Sequence, residues 1–524
     1  MVNGSAGVTP YVHRALELFA TYGDREALVG GGRRLTFAEA RAEVFDLAAA
    51  LLRHGVRPGA GVLITAGNPV EGPLLQLALH LLGCRTIWIA PAPRREVDDY
   101  VRRSDAEVLV YDVRTRAEFG ADLAATLSGV TVLCLGPGGA GPDLLDRPDG
   151  GGTDGSAPLD LAAVAAMRPP LPESVLQTSG TTGIPKLVHY RHDFFEQVLT
   201  LAGKFVADGF PLLRHLSTSA LWAVGGQMTT FFNLFTGGVL FLVDEWEPGE
   251  FLATIERERV NSSYVSPPRL YELLDHPATA GTDTSSLFMF NVGGAPAAPA
   301  RLRQAIGVFG PVLRIVYGLS ECAVVAAQPG LREDPEHPER LGSCGLPYGD
   351  VRVRIRDEHG ADLPAGETGE VWVSSALNFG GYYDQPELTA GSLVDGWVRT
   401  HDIGRLDADG YLYLVDRAQD MTILGSGWNI HSRPIEDILA AHPEVRAAAV
   451  IGVPDLVAGE AVHAYVVAAP GATVRADDLR AMVRDELNEL WTPRTVEFVD
   501  ALPLTRTSKV DKKVLRSRYA AEHA

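Results

Sequence analysis

The 524 residues carry 66 Asp and Glu against 46 Lys and Arg, a formal charge of −20, with 46% hydrophobic and 8% aromatic residues. A chain this long outgrows one hydrophobic core and predicts at least two domains, and its composition excludes global disorder. The acidic balance excludes a protein whose main task is to coat nucleic-acid phosphates, but leaves room for a small local anion site.

Thr9-Pro10 predicts a cap and a first helical residue, opening an amphipathic helix over Val12 to Tyr22. Phe37 to His54 predicts a second helix, Gly61 to Ala66 a strand, Pro73 to Leu82 a helix, and Arg85 to Ile89 another strand. The stretch from Leu75 to Ile89 is the most apolar, yet His80 and Arg85 break it, so no membrane span is expected. Ala106 to Tyr111 and Val130 to Leu135 are further strands, and Gly136 to Ala157, rich in Gly, Pro and Asp, predicts a surface loop. Shorter β stretches follow at Val351 to Arg356, Gly369 to Val373 and Tyr411 to Leu414. After Asp416 the pattern becomes a compact α+β unit built from Ile435 to His442, Val445 to Val453, Ala461 to Val467 and Ala476 to Leu487. The expected fold is α/β: a large N-terminal region of parallel-type sheets with helices plus a β subdomain, and a small mobile α+β C-terminal domain. The expected boundaries are 1–415, a hinge at 416–420, and a lid at 421–524. The start, Met1-Val2-Asn3-Gly4, shows no basic-then-apolar export pattern, and Cys84, Cys134, Cys322 and Cys344 lack the paired spacing of zinc or disulfide frameworks. A reducing, cytoplasmic location is the expectation.

Only five of the 46 basic residues are lysines: Lys186, Lys204, Lys509, Lys512 and Lys513. An ammonium is a compact point charge, suited to contact with a single oxygen. Lys186 closes the segment Gln177-Thr178-Ser179-Gly180-Thr181-Thr182-Gly183-Ile184-Pro185-Lys186. Its glycines let backbone approach an anion, its hydroxyls can donate, and its lysine adds charge. It is not a Walker loop, because Ile184-Pro185 separates the glycine from the lysine.

This segment resembles the phosphate-binding signature of the adenylate-forming superfamily, most closely the acyl-CoA synthetases and ligases. Further motifs recur in that family's order: Asn291-Val292-Gly293-Gly294-Ala295-Pro296, Tyr317-Gly318-Leu319-Ser320-Glu321, Gly366-Glu367-Thr368-Gly369-Glu370, the run from Trp397 to Arg417, and the run from Pro503 to Lys512. The resemblance implies an ATP-dependent ligase: a carboxylate attacks the α-phosphorus of ATP, pyrophosphate leaves, and the acyl-adenylate passes its acyl group to a thiol. It implies that Thr178, Ser179, Gly180, Thr181, Thr182 and Gly183 cradle the departing phosphates, with Lys186 beside them. Gly294, Ala295 and Pro296 would border the adenine, on which Tyr317 stacks next to Gly318. Ser320 would reach the α-phosphate, Glu321 would hold Mg²⁺, and Asp402 and Arg417 would bind the ribose. Lys509 would bridge the carboxylate and α-phosphate oxygens. Trp222, Gly226, Val292, Gly293, Leu319 and Ala323 would line the acyl pocket. Asp420 would be the hinge residue, and Gly425 and Gly427 would border the coenzyme A tunnel. His192, six residues after Lys186, is expected to be structural.

The sequence departs from the family pattern at several of these places. His401 stands where Thr-Gly-Asp is usual, Ser508 replaces the glycine before the lysine, Leu187 follows the phosphate loop, and Trp222 replaces the histidine of the acyl-pocket motif. No Asp is placed to hold an α-amino group. Phe231, Phe232 and Phe235 suit an aryl or bulky hydrophobic acid if they face the pocket, or helix core if they do not. The expected ligands are ATP/AMP, Mg²⁺, coenzyme A and a hydrophobic or aryl carboxylic acid. Loading of a carrier protein, and thioesterification of a preformed acyl-adenylate, are the alternatives.

Overall fold

The computed structural model describes residues 9–92, 94–146, 159–178, 186–417, 422–423, 429–455, 459–506 and 508–523. The chain divides into two compact units: Met1–Trp246 with Glu258–Ser263 and Ala376–Ser392, and Glu247–Arg257 with Tyr264–Ser375 and Leu393–Ala524. The second unit therefore joins the β subdomain to the C-terminal residues.

In the first unit, short apolar runs become buried strands. A six-stranded sheet orders Thr131–Leu135, Val108–Asp112, Gly61–Thr65, Arg85–Trp88, Glu173–Gln177 and Leu187–Tyr190. The first five are parallel and the last antiparallel, as a βα alternation requires. Every residue of the helix Glu71–Leu81 is buried, so its Gln76 and His80 must find partners inside the protein. Gln76 and Gln227 exchange amide hydrogen bonds of 2.5 and 2.8 Å, and Gln227 also donates to the Leu221 carbonyl at 2.7 Å. His80 lies between the Tyr11 hydroxyl (2.5 Å) and the hydroxyls of Thr86 and Ser174 (both 3.2 Å). Burial pushes the His80 imidazole down to about 3, so it is neutral.

Two local expectations are corrected in this unit. The first helix runs over Tyr11–Tyr22, with Pro10 preceding it at ψ 142 and no side-chain cap. Thr9 does not cap it and Pro10 is not its first helical residue, because the extended ψ places the proline outside the turn. Phe231 and Phe235 of Val224–Phe235 are core, Phe231 packing edge-on to Phe195 and Phe235 meeting Tyr11, while the partly buried Phe232 meets Phe205. They give no support to an aryl-acid pocket.

In the second unit, Met289–Gly293 runs parallel to Leu313–Leu319, which turns back antiparallel through Cys322–Ala327. The β subdomain is antiparallel: Arg352–Arg356, Gly369–Ser374 and Trp397–Leu406 pair in order, with Leu393–Val394 and Leu412–Arg417 on Trp397–Leu406. The C-terminal part is α+β, as expected. Its sheet of Val445–Asp455, Gly459–Ala468 and Thr495–Phe498 has a core on each face. Ile435, Leu439, Leu479 and Val483 cover one side, and Leu515 the other. All four cysteines are free and buried. Among the described residues, no helix is long and apolar enough to cross a membrane.

Candidate active site

The second unit gathers most of the residues expected at the nucleotide. Asp402 sits on Trp397–Leu406 directly opposite Arg417, and Arg417 Nε donates to its Oδ1 at 3.0 Å. Tyr317, 85 residues away in sequence, donates its hydroxyl to Asp402 Oδ2 at 2.5 Å. The carboxylate is nearly buried at 3% exposure, and both its oxygens are satisfied. Thr400 supports it from below: its hydroxyl accepts the Asp402 N–H (3.1 Å) and donates to the Val371 carbonyl (2.7 Å). Burial and the adjacent Asp402 charge push the Tyr317 phenol well above its ordinary range, so it remains a donor.

The loop before Lys509 is closed by its own hydrogen bonds. Thr505 N–H donates to the Lys509 carbonyl at 2.7 Å, and Lys509 N–H donates to the Thr505 hydroxyl at 3.1 Å. The turn takes Ser508 through φ +57, a left-handed conformation natural to the glycine that Ser508 replaces. Lys509 Cε lies near Gly294, where an added Cβ would be 3.7 Å away, and Gly294 itself turns at φ +85. Desolvation, then Arg417, lowers the Lys509 ammonium to about 8, while Asp402 and Glu321 pull it upward. Lys509, Arg417, Asp402 and Glu321 are thus one electrostatic group.

Leu319 pairs with Cys322 across a two-residue turn made by Ser320 and Glu321. A Glu after Ser reads in isolation as a helix-start carboxylate, but here it caps a hairpin. Gly318 is obligatory: a Cβ would stand 2.2 Å from the Ala323 carbonyl. Gly293 is equally tight, with the Val316 carbonyl at 2.3 Å and Tyr264 at 3.1 Å from an added Cβ. Val292 is buried, Leu319 and Ala323 are partly exposed, and Ala295 and the exposed Pro296 follow the strand end.

The first unit holds the two ends of the segment expected to cradle phosphates. Thr178 N–H donates to the Lys186 carbonyl (3.0 Å), and Lys186 N–H donates to the Thr178 hydroxyl (3.1 Å). Lys186 Nζ lies 3.4 Å from the Tyr382 hydroxyl and 4.8 Å over its ring. Ser179, Gly180, Thr181, Thr182 and Gly183 lie outside the described residues, as do Asp420, Gly425 and Gly427. Trp222 is partly exposed on the turn before Val224–Phe235. Gly226 admits no side chain there, since a Cβ would be 2.1 Å from the Ala220 carbonyl. His192 is the buried first residue of His192–Ala207, 3.2 Å from Glu196 and against Tyr11.

Sequence reading named Asp416 only as the start of a hinge and Lys512 only as the end of a motif; the structure joins them. Asp416 accepts the Ser432 N–H at 2.7 Å, and Lys512 reaches both Ser432 Oγ (2.6 Å) and Glu436 (2.8 Å). The scarcity of lysine was the available signal for Lys512.

The family model described as AMP-binding enzyme matches residues 16–383, and that of the AMP-binding enzyme C-terminal domain matches residues 434–509. The chain is 36% identical over 381 residues to the medium/long-chain-fatty-acid–CoA ligase FadD8 of Mycobacterium tuberculosis, covering 69% of this chain and 66% of that ligase. It is 33% identical over 497 residues to the feruloyl-CoA synthase of an Amycolatopsis species, covering 93% of this chain and 95% of that enzyme. The solved structure of the amide bond synthetase McbA from Marinactinospora thermotolerans matches with a TM-score of 0.85 and 37% identity, over 97% of this chain and 99% of that one. With both domain models matched in order around the Tyr317–Asp402–Arg417 cluster, the chain belongs to the AMP-binding enzymes of the adenylate-forming superfamily and is a ligase of that family.

Proposed function

We propose that the enzyme activates a hydrophobic or aryl carboxylic acid with ATP and transfers the acyl group to coenzyme A. The single observation that carries the adenylation step is Lys509: a partly dehydrated ammonium in one electrostatic group with Asp402, Arg417 and Glu321. In the first step a carboxylate oxygen bonds to the α-phosphorus, and the bond from that phosphorus to the β-bridging oxygen breaks, releasing pyrophosphate. Two anions must meet, so fixed positive charge in a partly dry site lowers the barrier. Lys509 contacts the α-phosphate and the attacking carboxylate, and Ser320 donates to the α-phosphate. Asp402 and Arg417 hold the ribose hydroxyls, and Tyr317 lies against the adenine bordered by Gly294, Ala295 and Pro296. Thr178 and Lys186 hold the ends of the phosphate loop formed by Ser179, Gly180, Thr181, Thr182 and Gly183.

Among the described residues no three His, Cys, Asp or Glu side chains converge as a metal cage. A Mg²⁺ ion is ordinarily held by one or two carboxylates and the substrate's own phosphates; Glu321 is the carboxylate we assign to it. When bound, it neutralises phosphate charge.

In the second step the thiol sulfur bonds to the acyl carbon, the bond to the phosphate oxygen breaks, AMP leaves and the thiol gives up its proton. Asp420 is the hinge residue about which Lys509 withdraws for this step, with Gly425 and Gly427 along the thiol's path. Val292, Gly293, Leu319 and Ala323 are the acyl-pocket residues of the second unit; their apolar side chains, and the names of the fatty-acid and feruloyl relatives, support the acid class.

A second reading has its own support. The 37% identity to an amide bond synthetase extends over nearly both chains, so the acceptor in the second step would be an amine nitrogen. Pyrophosphate release from Mg-ATP with a panel of aryl and aliphatic acids tests the first step. Addition of coenzyme A or of amines, with mass detection of product, then separates the two acceptors. Thioester from coenzyme A alone supports the first reading, and amide alone overturns it. Silence with every acid, but product from a synthetic acyl-adenylate, overturns the adenylation step itself.

A further inference from the structure

The helix Ser432–Ala440 begins without a side-chain cap of its own. The missing acceptor is supplied by Asp416, whose Oδ2 takes the Ser432 N–H at 2.7 Å and whose two oxygens lie 3.2 and 3.3 Å from Ser432 Oγ. A carboxylate at this point meets both the orphan N–H and the positive end of the helix. Lys512 completes the cluster: Nζ donates to Ser432 Oγ at 2.6 Å and pairs with Glu436 Oε1 at 2.8 Å, and Glu436 in turn accepts the Val450 N–H at 2.8 Å. His431 Nδ1 stands 3.9 Å from Asp416. The side chains of Asp416, Lys512 and Glu436 are 6%, 17% and 18% exposed, so water screens these contacts weakly.

Two covalent links lead from this cluster to the candidate active site. Asp416 is adjacent to Arg417, which bonds Asp402. Lys512 is three residues from Lys509, across a turn fixed by the Thr505 contacts, by the Asp511 N–H on the Pro503 carbonyl (2.8 Å), and by Asp511 capping Lys513 and Val514. With that turn internally closed, where Lys512 is anchored fixes where Lys509 can reach.

We propose that Asp416 and Lys512 are positioning residues that hold Lys509 at the Asp402–Arg417 group, so that the adenylation step depends on this cluster while acyl transfer does not. This rests on the two-step reading above. Neither residue touches the reacting atoms, and the cluster acts through the helix start and the turn. Its physical logic is that a dehydrated ammonium prefers water, and a fixed anchor on each side keeps it in place.

The test uses the full chain with Asp416→Asn, Lys512→Met, Lys512→Arg and the Asp416→Asn/Lys512→Met double variant. Pyrophosphate release reads the first step, and product from supplied acyl-adenylate reads the second. The expected result is a loss of about tenfold in adenylation for Asp416→Asn and for Lys512→Met, with transfer from the supplied adenylate within about twofold of wild type. Lys512→Arg recovers most of the loss, and the double variant loses no more than the worse single, because both break one cluster. Parallel loss in both steps, unchanged adenylation, or additive losses overturn the proposal. A second readout is independent of turnover: the pH dependence of Lys509 acetylation by acetic anhydride, followed by mass spectrometry. In the variants the labelling midpoint moves from about 8 toward the ordinary 10.5, and an unmoved midpoint overturns the proposal. A wild type that releases no pyrophosphate with any acid fails the two-step reading instead, and the labelling shift still decides the positioning role.

Discussion

The alkaline limb of adenylation is the most direct consequence of the Lys509 environment. Desolvation, with Arg417 adding to it, brings this ammonium to about 8 from its ordinary 10.5, against the opposing pull of Asp402 and Glu321. The charged form is the one that can hold an α-phosphate oxygen, and it is lost as pH rises through that value. Measured as kcat/KM for ATP, which reports the free enzyme, adenylation is therefore level below about pH 7.5 and falls about tenfold per unit above 8. Bound ATP adds negative charge that favours the ammonium, so the limb of kcat lies at higher pH. Lys509→Arg abolishes the limb, because a guanidinium stays charged throughout. Lys509→Ala costs about 10² to 10⁴ in rate, the equivalent of one charge pair of about 4 kcal/mol at about 4 Å and an effective dielectric near 20. Stability moves the other way. Between pH 8 and 10.5 the unfolded chain keeps a proton that the folded chain has released, so this group makes the fold more stable as pH rises through that window. The shift corresponds to at most about 3 kcal/mol, less the screening of a partly exposed side chain. Lys509→Met accordingly unfolds at higher denaturant than wild type at pH 7 while losing adenylation. A pH-independent kcat/KM up to pH 9.5, or the same limb in Lys509→Arg, would refute the assignment.

Four other substitutions test the surroundings. Asp402→Asn leaves Tyr317 and Arg417 without their carboxylate; it raises the KM for ATP about tenfold or more and shifts the alkaline limb to lower pH, since Asp402 supports the Lys509 charge. A limb that moves to higher pH contradicts that coupling. Ser508→Gly relieves a left-handed φ of +57 and raises stability by about 0.5–1 kcal/mol, seen as a higher urea midpoint at unchanged m-value; a lower midpoint argues against strain. Gly226→Ala places a methyl 2.1 Å from the Ala220 carbonyl and lowers stability by about 2 kcal/mol or more, whereas an unchanged melting temperature means the turn can give way. Gln76→Leu strands the buried Gln227 amide at about 1–3 kcal/mol, and Gln76→Leu/Gln227→Met recovers most of it; a double variant as unstable as the single refutes the paired-amide account.

The strands were legible where burial is complete. Gly61–Thr65 and Val108–Asp112 are buried at every position, and a continuous apolar run between helical patterns has few other uses. Asp402, Tyr317 and Lys509 were legible as members of ordered motifs, but their bonds were not. Nothing in periodicity says that a phenol at 317 reaches a carboxylate at 402, because the two stand on strands of different sheets, whose approach is set by tertiary packing rather than by the pattern of either strand. The local conformation of Ser320 and Glu321 was open for a related reason: the same dipeptide suits a helix start or a tight turn, and Leu319 pairing with Cys322 decides it. The facing of Phe231 and Phe235 stayed open because composition records that a helix is aromatic without recording which way it faces. The segment around Gln76 held a clue that pattern reading passed over. A helix apolar nearly all round that still carries Gln and His has no wet face on which to put them, so each implies a partner elsewhere, and Gln227, Tyr11, Thr86 and Ser174 are those partners. Lys512 follows the same logic in charge: where arginine is used almost everywhere, a retained ammonium points to a contact that a planar fork would not make as well, here the single hydroxyl of Ser432 beside one oxygen of Glu436.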